Sequence, residues 1–154
     1  MQVQDWMAER GAEFEVIAHE QAYSSQRLAQ VMHVRGDLVA KTVLLHVDDH
    51  FVVAVIPATH RIHIDLVAEA LHAHLVELAT ERQLAEHFPD CEWGALLPFG
   101  SQYGLQTVVD YTLTEDEEIV FEANDHRRAI RMKYQDFAHL ERPDVAVLSY
   151  HCYP

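Results

Sequence analysis

The chain has 154 residues, 49% of them hydrophobic and 23% charged, which suits one globular domain with a sizeable core. No apolar run approaches the length of a membrane span. A formal net charge of -14 argues against nucleic-acid binding through bulk charge, so a nucleic-acid partner would need a local basic patch. Met1 to Asp5 carry no basic stretch leading into an apolar core, and Cys91 and Cys152 lie far apart without metal-type spacing. Free thiols and a cytoplasmic location are the expectation.

In chain order, Asp5 to about Gly11 reads as a short helix and Phe14 to His19 as a first strand. Ser24 is placed to cap a helix running to about Val34. Val39 to Val47 reads as a strand, with a turn at Asp48-Asp49-His50. Phe51 to Ile56 is apolar throughout and ends at Pro57. It should be buried on both sides, in the middle of a sheet, and form a hairpin with the strand before it. Asp65 is expected to cap the next helix, and Val76 to Ala79 is a short strand. Thr80 and Gln83 have capping-box spacing for a helix ending near His87. Gln106 to Leu113 reads as a strand. Ile119 to Ala123 and Ala129 to Lys133 flank a turn at Asn124-Asp125 and make a second hairpin. Tyr134 to Leu140 is a final helix, followed by a tail with a short apolar run from Val145 to Leu148. Helices and strands interleave without a regular βαβ period. That favours a single α+β domain with a mixed sheet over a doubly wound parallel fold.

Three stretches carry candidate chemistry. On the strand from Val39 to Val47, Lys41 is the only polar side chain on the face of Val39, Val43, Leu45 and Val47. A lysine there must either reach water along its aliphatic stem or meet an anionic or oxygen-rich ligand. Between Gly94 and Gly100 lies an apolar loop, Gly94-Ala95-Leu96-Leu97-Pro98-Phe99-Gly100. It is either an ordinary loop packed on the core or one that aims backbone N–H groups at a substrate oxygen. Four of the eleven basic residues, Arg127, Arg128, Arg131 and Lys133, form a segment that either docks phosphates or keeps an exposed hairpin soluble. The twelve histidines fall in no His-Glu-x-x-His string and read as surface residues, so no metal or other cofactor is expected. Phosphate-binding glycine loops and Gly-x-Ser-x-Gly are absent.

Together and in this order, Ala40-Lys41-Thr42, the hairpin ending near Pro57 and the Gly94–Gly100 loop resemble the YbaK/prolyl-tRNA synthetase-associated domain family over roughly residues 19 to 142. The resemblance implies a mixed, partly closed β-sheet surrounded by helices. It also implies hydrolysis, in trans, of the ester joining a wrong small amino acid (alanine, serine or cysteine) to tRNA. Lys41 would position the terminal nucleotide, with Gly94 and Ala95 supplying backbone contacts. Thr42, His19, Tyr23, Pro98, Gly100 and Asp110 would line the substrate site, and Arg127, Arg128, Arg131 and Lys133 would meet the tRNA. Thr42 stands where some members carry asparagine. The expected partners are the acceptor end of a mischarged tRNA and an aminoacyl-tRNA synthetase, with no membrane. The alternative is a catalytically idle relative that binds a small molecule or a partner protein.

Overall fold

The computed structural model describes residues 2–92 and 95–152. Helix α1 (Val3–Glu9) leads into strand β1 (Glu15–Ala18) and helix α2 (Ser25–Met32). Ser24 caps α2 as its sequence position implies, its hydroxyl accepting the Arg27 N–H at 3.0 Å. The hairpin of β2 (Ala40–Val47) and β3 (His50–Pro57) follows, closed by a two-residue turn between paired Val47 and His50. After β4 (His60–Ile62) come α3 (Ile64–Leu71), β5 (Val76–Leu78) and α4 (Glu81–His87), the last opened by the reciprocal capping box of Thr80 and Gln83. The chain continues through β6 (Gln106–Asp110), the hairpin of β7 (Glu118–Glu122) and β8 (Arg128–Lys133), α5 (Tyr134–Glu141), β9 (Asp144–Ala146) and β10 (Ser149–His151).

The central sheet has five strands in the order β5-β2-β3-β6-β9. Strand β3 lies in its middle, and its residues from Val52 to Pro57 are all buried, as an apolar run without a polar face requires. The sheet is mixed: β3 runs antiparallel to β2 but parallel to β6, and β6 is parallel to β9. A second sheet, β1-β8-β7, touches the first through a parallel bridge between Val39 and Val120. The sheet is thus partly closed around the main core, where Leu44, Val53, Val55 and Val109 meet Phe121, Ile130, Phe99 and Phe137. On the opposite face of the central sheet, Leu45, Val52, Ala54 and Ile56 pack against Val67 and Leu71 of α3.

Two local expectations need correction. Helix α3 starts one residue before Asp65, and its cap is His63, whose Nδ1 accepts the Leu66 N–H at 3.3 Å. Asp65 instead sits in the first turn, where a carboxylate complements the helix dipole. The strand expected to reach Leu113 stops at Asp110, because that side chain caps a 3-10 turn over Tyr111–Glu115. In the tail, β9 extends the central sheet, and β10 pairs with β4, a three-residue strand too short to carry a pattern.

Candidate active site

The site follows from how β2 is paired. Ala58 donates its N–H to the Val39 carbonyl at 2.8 Å, so the backbone groups of Val39, Lys41, Val43 and Leu45 point toward β3. Those of Ala40, Thr42 and Leu44 then point to the other edge. There β5 pairs only with Leu45 to Val47, and one further bond runs from Ala79 N–H to the Leu44 carbonyl at 3.0 Å. The chain beyond Ala79 turns into α4, so among the described residues no strand pairs with Thr42 on this edge, while on the other it faces Val55 of β3. Among the described residues its N–H and C=O face an open stretch of sheet edge, and its hydroxyl oxygen is buried without a hydrogen-bond partner.

A cavity of about 590 Å³ opens along this stretch, within the size range of small-molecule sites. Because it wraps around a strand edge, it takes residues from both faces of β2, Lys41 and Val43 from one and Thr42 and Leu44 from the other. Tyr23 at the start of α2, Ile62, Ile64, Leu84 and Leu96 complete walls that are mainly apolar. Lys41 is half-buried, and its Nζ donates to the His60 carbonyl of β4 at 3.0 Å. An ammonium has three donors, so that bond leaves two for a ligand. Burial pushes the lysine below its usual proton affinity, Cys152 works the other way, and the charge of Arg61 adds to the lowering.

The structure brings Lys41, Thr42 and Tyr23 to one cavity, and the other expected residues that it describes do not line that cavity. His19 lines a separate cavity beside Arg27, Gln30 and Arg131. Gly94 lies outside the described residues. Ala95 is buried, and its N–H is taken by the Glu92 carbonyl at 2.9 Å. Pro98 is buried, with Leu97 and Phe99 on either side of it packed in the core. Gly100 is required by close approach: its N–H donates to Thr107 Oγ1 at 2.9 Å, and an added Cβ would fall 2.4 Å from that oxygen and 2.8 Å from the Leu105 carbonyl. Asp110 is fully buried. Its Oδ1 accepts the Leu148 N–H at 2.9 Å, and its Oδ2 accepts the N–H and hydroxyl of Thr112 at 3.2 and 2.5 Å. In the basic segment Arg128 pairs with Asp125 at 2.7 Å and Arg131 with Glu118 at 2.9 Å, while Arg127 and Lys133 are exposed.

Sequence reading missed two parts of the site. One is β4, which supplies the carbonyl for Lys41 and places Arg61 in the cavity; its only signal was the basic residue following the hairpin. The other is a buried pair behind Tyr23. Glu122 and His126 meet at 3.3 Å, and the His126 ring lies 5.1 Å from that of Tyr23. Burial raises the Glu122 carboxyl above its usual range, against the opposing charge of His126. A carboxyl raised by folding holds its proton more tightly in the folded state. Its contribution to stability is present at acid pH and lost as the pH rises through the folded value. Glu122→Gln should therefore flatten the fall in melting temperature between about pH 5 and pH 8. Thermal melts across that range check this, and an unchanged slope would place the titration in another group.

A profile of the aminoacyl-tRNA editing domain matches residues 19–140. The chain belongs to the aminoacyl-tRNA editing domain family. Solved structures share its fold at low identity. A protein described only as hypothetical superimposes with a TM-score of 0.88 at 18% identity, covering 96% of this chain and 99% of its own. A candidate trans-editing enzyme for prolyl tRNA synthetase gives 0.86 at 17% identity, over 96% and 94%. A candidate signal transduction protein from Marinobacter aquaeolei VT8 gives 0.74 at 17% identity, over 96% of this chain but only 30% of its own. No curated protein matches the sequence.

Proposed function

We propose that this protein is a stand-alone, cytoplasmic trans-editing hydrolase that removes a small amino acid, such as alanine, serine or cysteine, from the wrong tRNA. The observation that carries the reading is the pairing of Lys41 with the open Thr42 edge in one cavity, inside the segment that matches the editing family. A water oxygen bonds to the ester carbonyl carbon, and the ribose oxygen leaves with a proton, giving free amino acid and intact tRNA. Lys41 holds the terminal nucleotide with the donors His60 leaves free. Thr42 offers a backbone donor, a backbone acceptor and a hydroxyl to the aminoacyl group. The apolar walls favour a small side chain, with overlap among similar ones, since one methylene is worth only about 1–3 kcal/mol in such a pocket. The test is a deacylation assay on a panel of mischarged tRNAs. Faster hydrolysis of bulky aromatic esters than of alanyl esters would overturn the specificity. Binding without hydrolysis of any ester would leave an idle binding module.

Docking of the tRNA body falls to Arg127 and Lys133, the exposed members of the basic segment that lie in no ion pair among the described residues. Neutralising both should weaken binding of every tRNA tested and lower the slope of log affinity against log salt by about two. Neutralising Arg128 and Arg131, which already face Asp125 and Glu118, should change the slope less. Filter-binding titrations at several salt concentrations measure both. An unchanged slope in the first pair moves the docking surface elsewhere.

A further inference from the structure

Arg61 is the second cation of the cavity, and the sequence did not single it out. It stands in the middle of β4, one residue after the carbonyl that binds Lys41, so strands of two different sheets bring both cations to one cavity. Its side chain is exposed, and among the described residues no carboxylate lies within ion-pair distance of it. Its cross-strand partner on β10 is Tyr150, which carries no charge. In a chain with 25 acidic and 11 basic residues an unpaired arginine next to a lysine calls for explanation. Elsewhere on the sheets both arginines of β8, Arg128 and Arg131, are matched with acids, while its Lys133 is exposed at the strand end. Two like charges beside apolar walls repel one another, and an anion seated between them relieves both. The guanidinium forks onto phosphate oxygens in a way an ammonium cannot. The Tyr23 ring, 70% exposed at the same cavity, and the exposed side chains of Ile64 and Leu78 provide flat apolar surface on which a base can stack.

We propose that Arg61 binds the 5′-phosphate of a ribonucleotide seated in this cavity, namely the phosphodiester that leads into the terminal nucleoside of an RNA 3′ end. The inference rests on the reading of the cavity as the site for a tRNA terminus. It adds to that reading a division of labour: Lys41 serves the nucleoside and its ester, and Arg61 serves the phosphate.

The experiment measures binding rather than hydrolysis, so that the two readings can fail separately. Adenosine, AMP and the trinucleotide CCA are titrated by calorimetry into the full chain and into Arg61→Gln and Arg61→Glu. The parent should bind AMP and CCA at least about tenfold more tightly than adenosine, as a charge-assisted phosphate contact implies. Arg61→Gln should abolish that preference and leave adenosine affinity unchanged, and Arg61→Glu should reverse it. The salt slope for CCA should fall by about one in Arg61→Gln. Equal affinities of the parent for AMP and adenosine, or full preference retained in Arg61→Gln, would overturn the assignment. Tighter binding of AMP than of CCA would overturn the RNA terminus in favour of a free nucleotide. Failure to deacylate any mischarged tRNA, with phosphate preference intact, would sink the hydrolase and leave Arg61 in place.

Discussion

Lys41→Met should slow deacylation by roughly one to two orders of magnitude or more while leaving the melting temperature unchanged or raised. The activity loss follows from removing a charge-assisted contact to the nucleotide, worth about 1.5–3 kcal/mol and more where water is excluded. The stability change has the opposite sign. Burial lowers the proton affinity of Lys41, so folding disfavours its charged form. With a folded pKa below the unfolded one, the unfolded chain binds the proton more tightly, and that penalty is present at neutral pH. It is relieved only as the pH rises toward the ordinary lysine range. Methionine keeps the length of the side chain, removes the charge and packs beside Val43 and Ile56. Any gain in melting temperature should accordingly be largest near neutrality and shrink in alkali. Turnover assays and melts on one preparation decide the matter. Retained turnover would mean that Lys41 merely reaches for water and holds the His60 carbonyl.

Asp110→Ala should cost roughly 3 kcal/mol or more of stability, a large share of what a domain of this size has. The buried carboxylate accepts two backbone N–H groups and a hydroxyl, and alanine leaves the Leu148 N–H without its partner. The effect should also reach the site. Leu148 lies between β9 and β10, β10 pairs with β4, and the β4 carbonyl of His60 fixes Lys41. Denaturant melts measure the first effect, and the deacylation rate of the protein that remains folded measures the second. Parental stability in Asp110→Ala would remove Asp110 from this structural role.

What could be read from the sequence depended on whether a residue's task was local. The capping box of Thr80 and Gln83, the cap at Ser24 and the central burial of β3 were legible, because each is dictated by a few neighbours. Lys41 stood out because one charge interrupted an apolar face, and Thr42 came with it. Arg61 did not stand out, since β4 exists only by pairing with a strand almost ninety residues later, at Ser149 to His151. The Gly94–Gly100 loop shows the converse. Two glycines around a proline suggest donors aimed at a substrate, yet the N–H groups of Ala95 and Gly100 are consumed within the fold. Only the packing around Thr107 could reveal that. The resemblance carried the architecture correctly, and the mixed, partly closed sheet is what the chain forms.

The interruption of β5 also sets a length. Hydrogen-bonding positions along one edge of a strand recur every second residue, about 6.6–6.8 Å apart. On β2 the rung at Leu44 is occupied by Ala79, and the chain next to Ala40 is bridged to Val120 of β7, so the open rung is that of Thr42. Leu84 of α4 and Leu96 line the cavity beside it. An unpaired strand edge is ordinarily a template for other chains, but this one is too short to align a foreign strand and cannot propagate aggregation. The gap is one rung long, bounded by Ala79 at one end and by the bridge from Val39 to Val120 at the other.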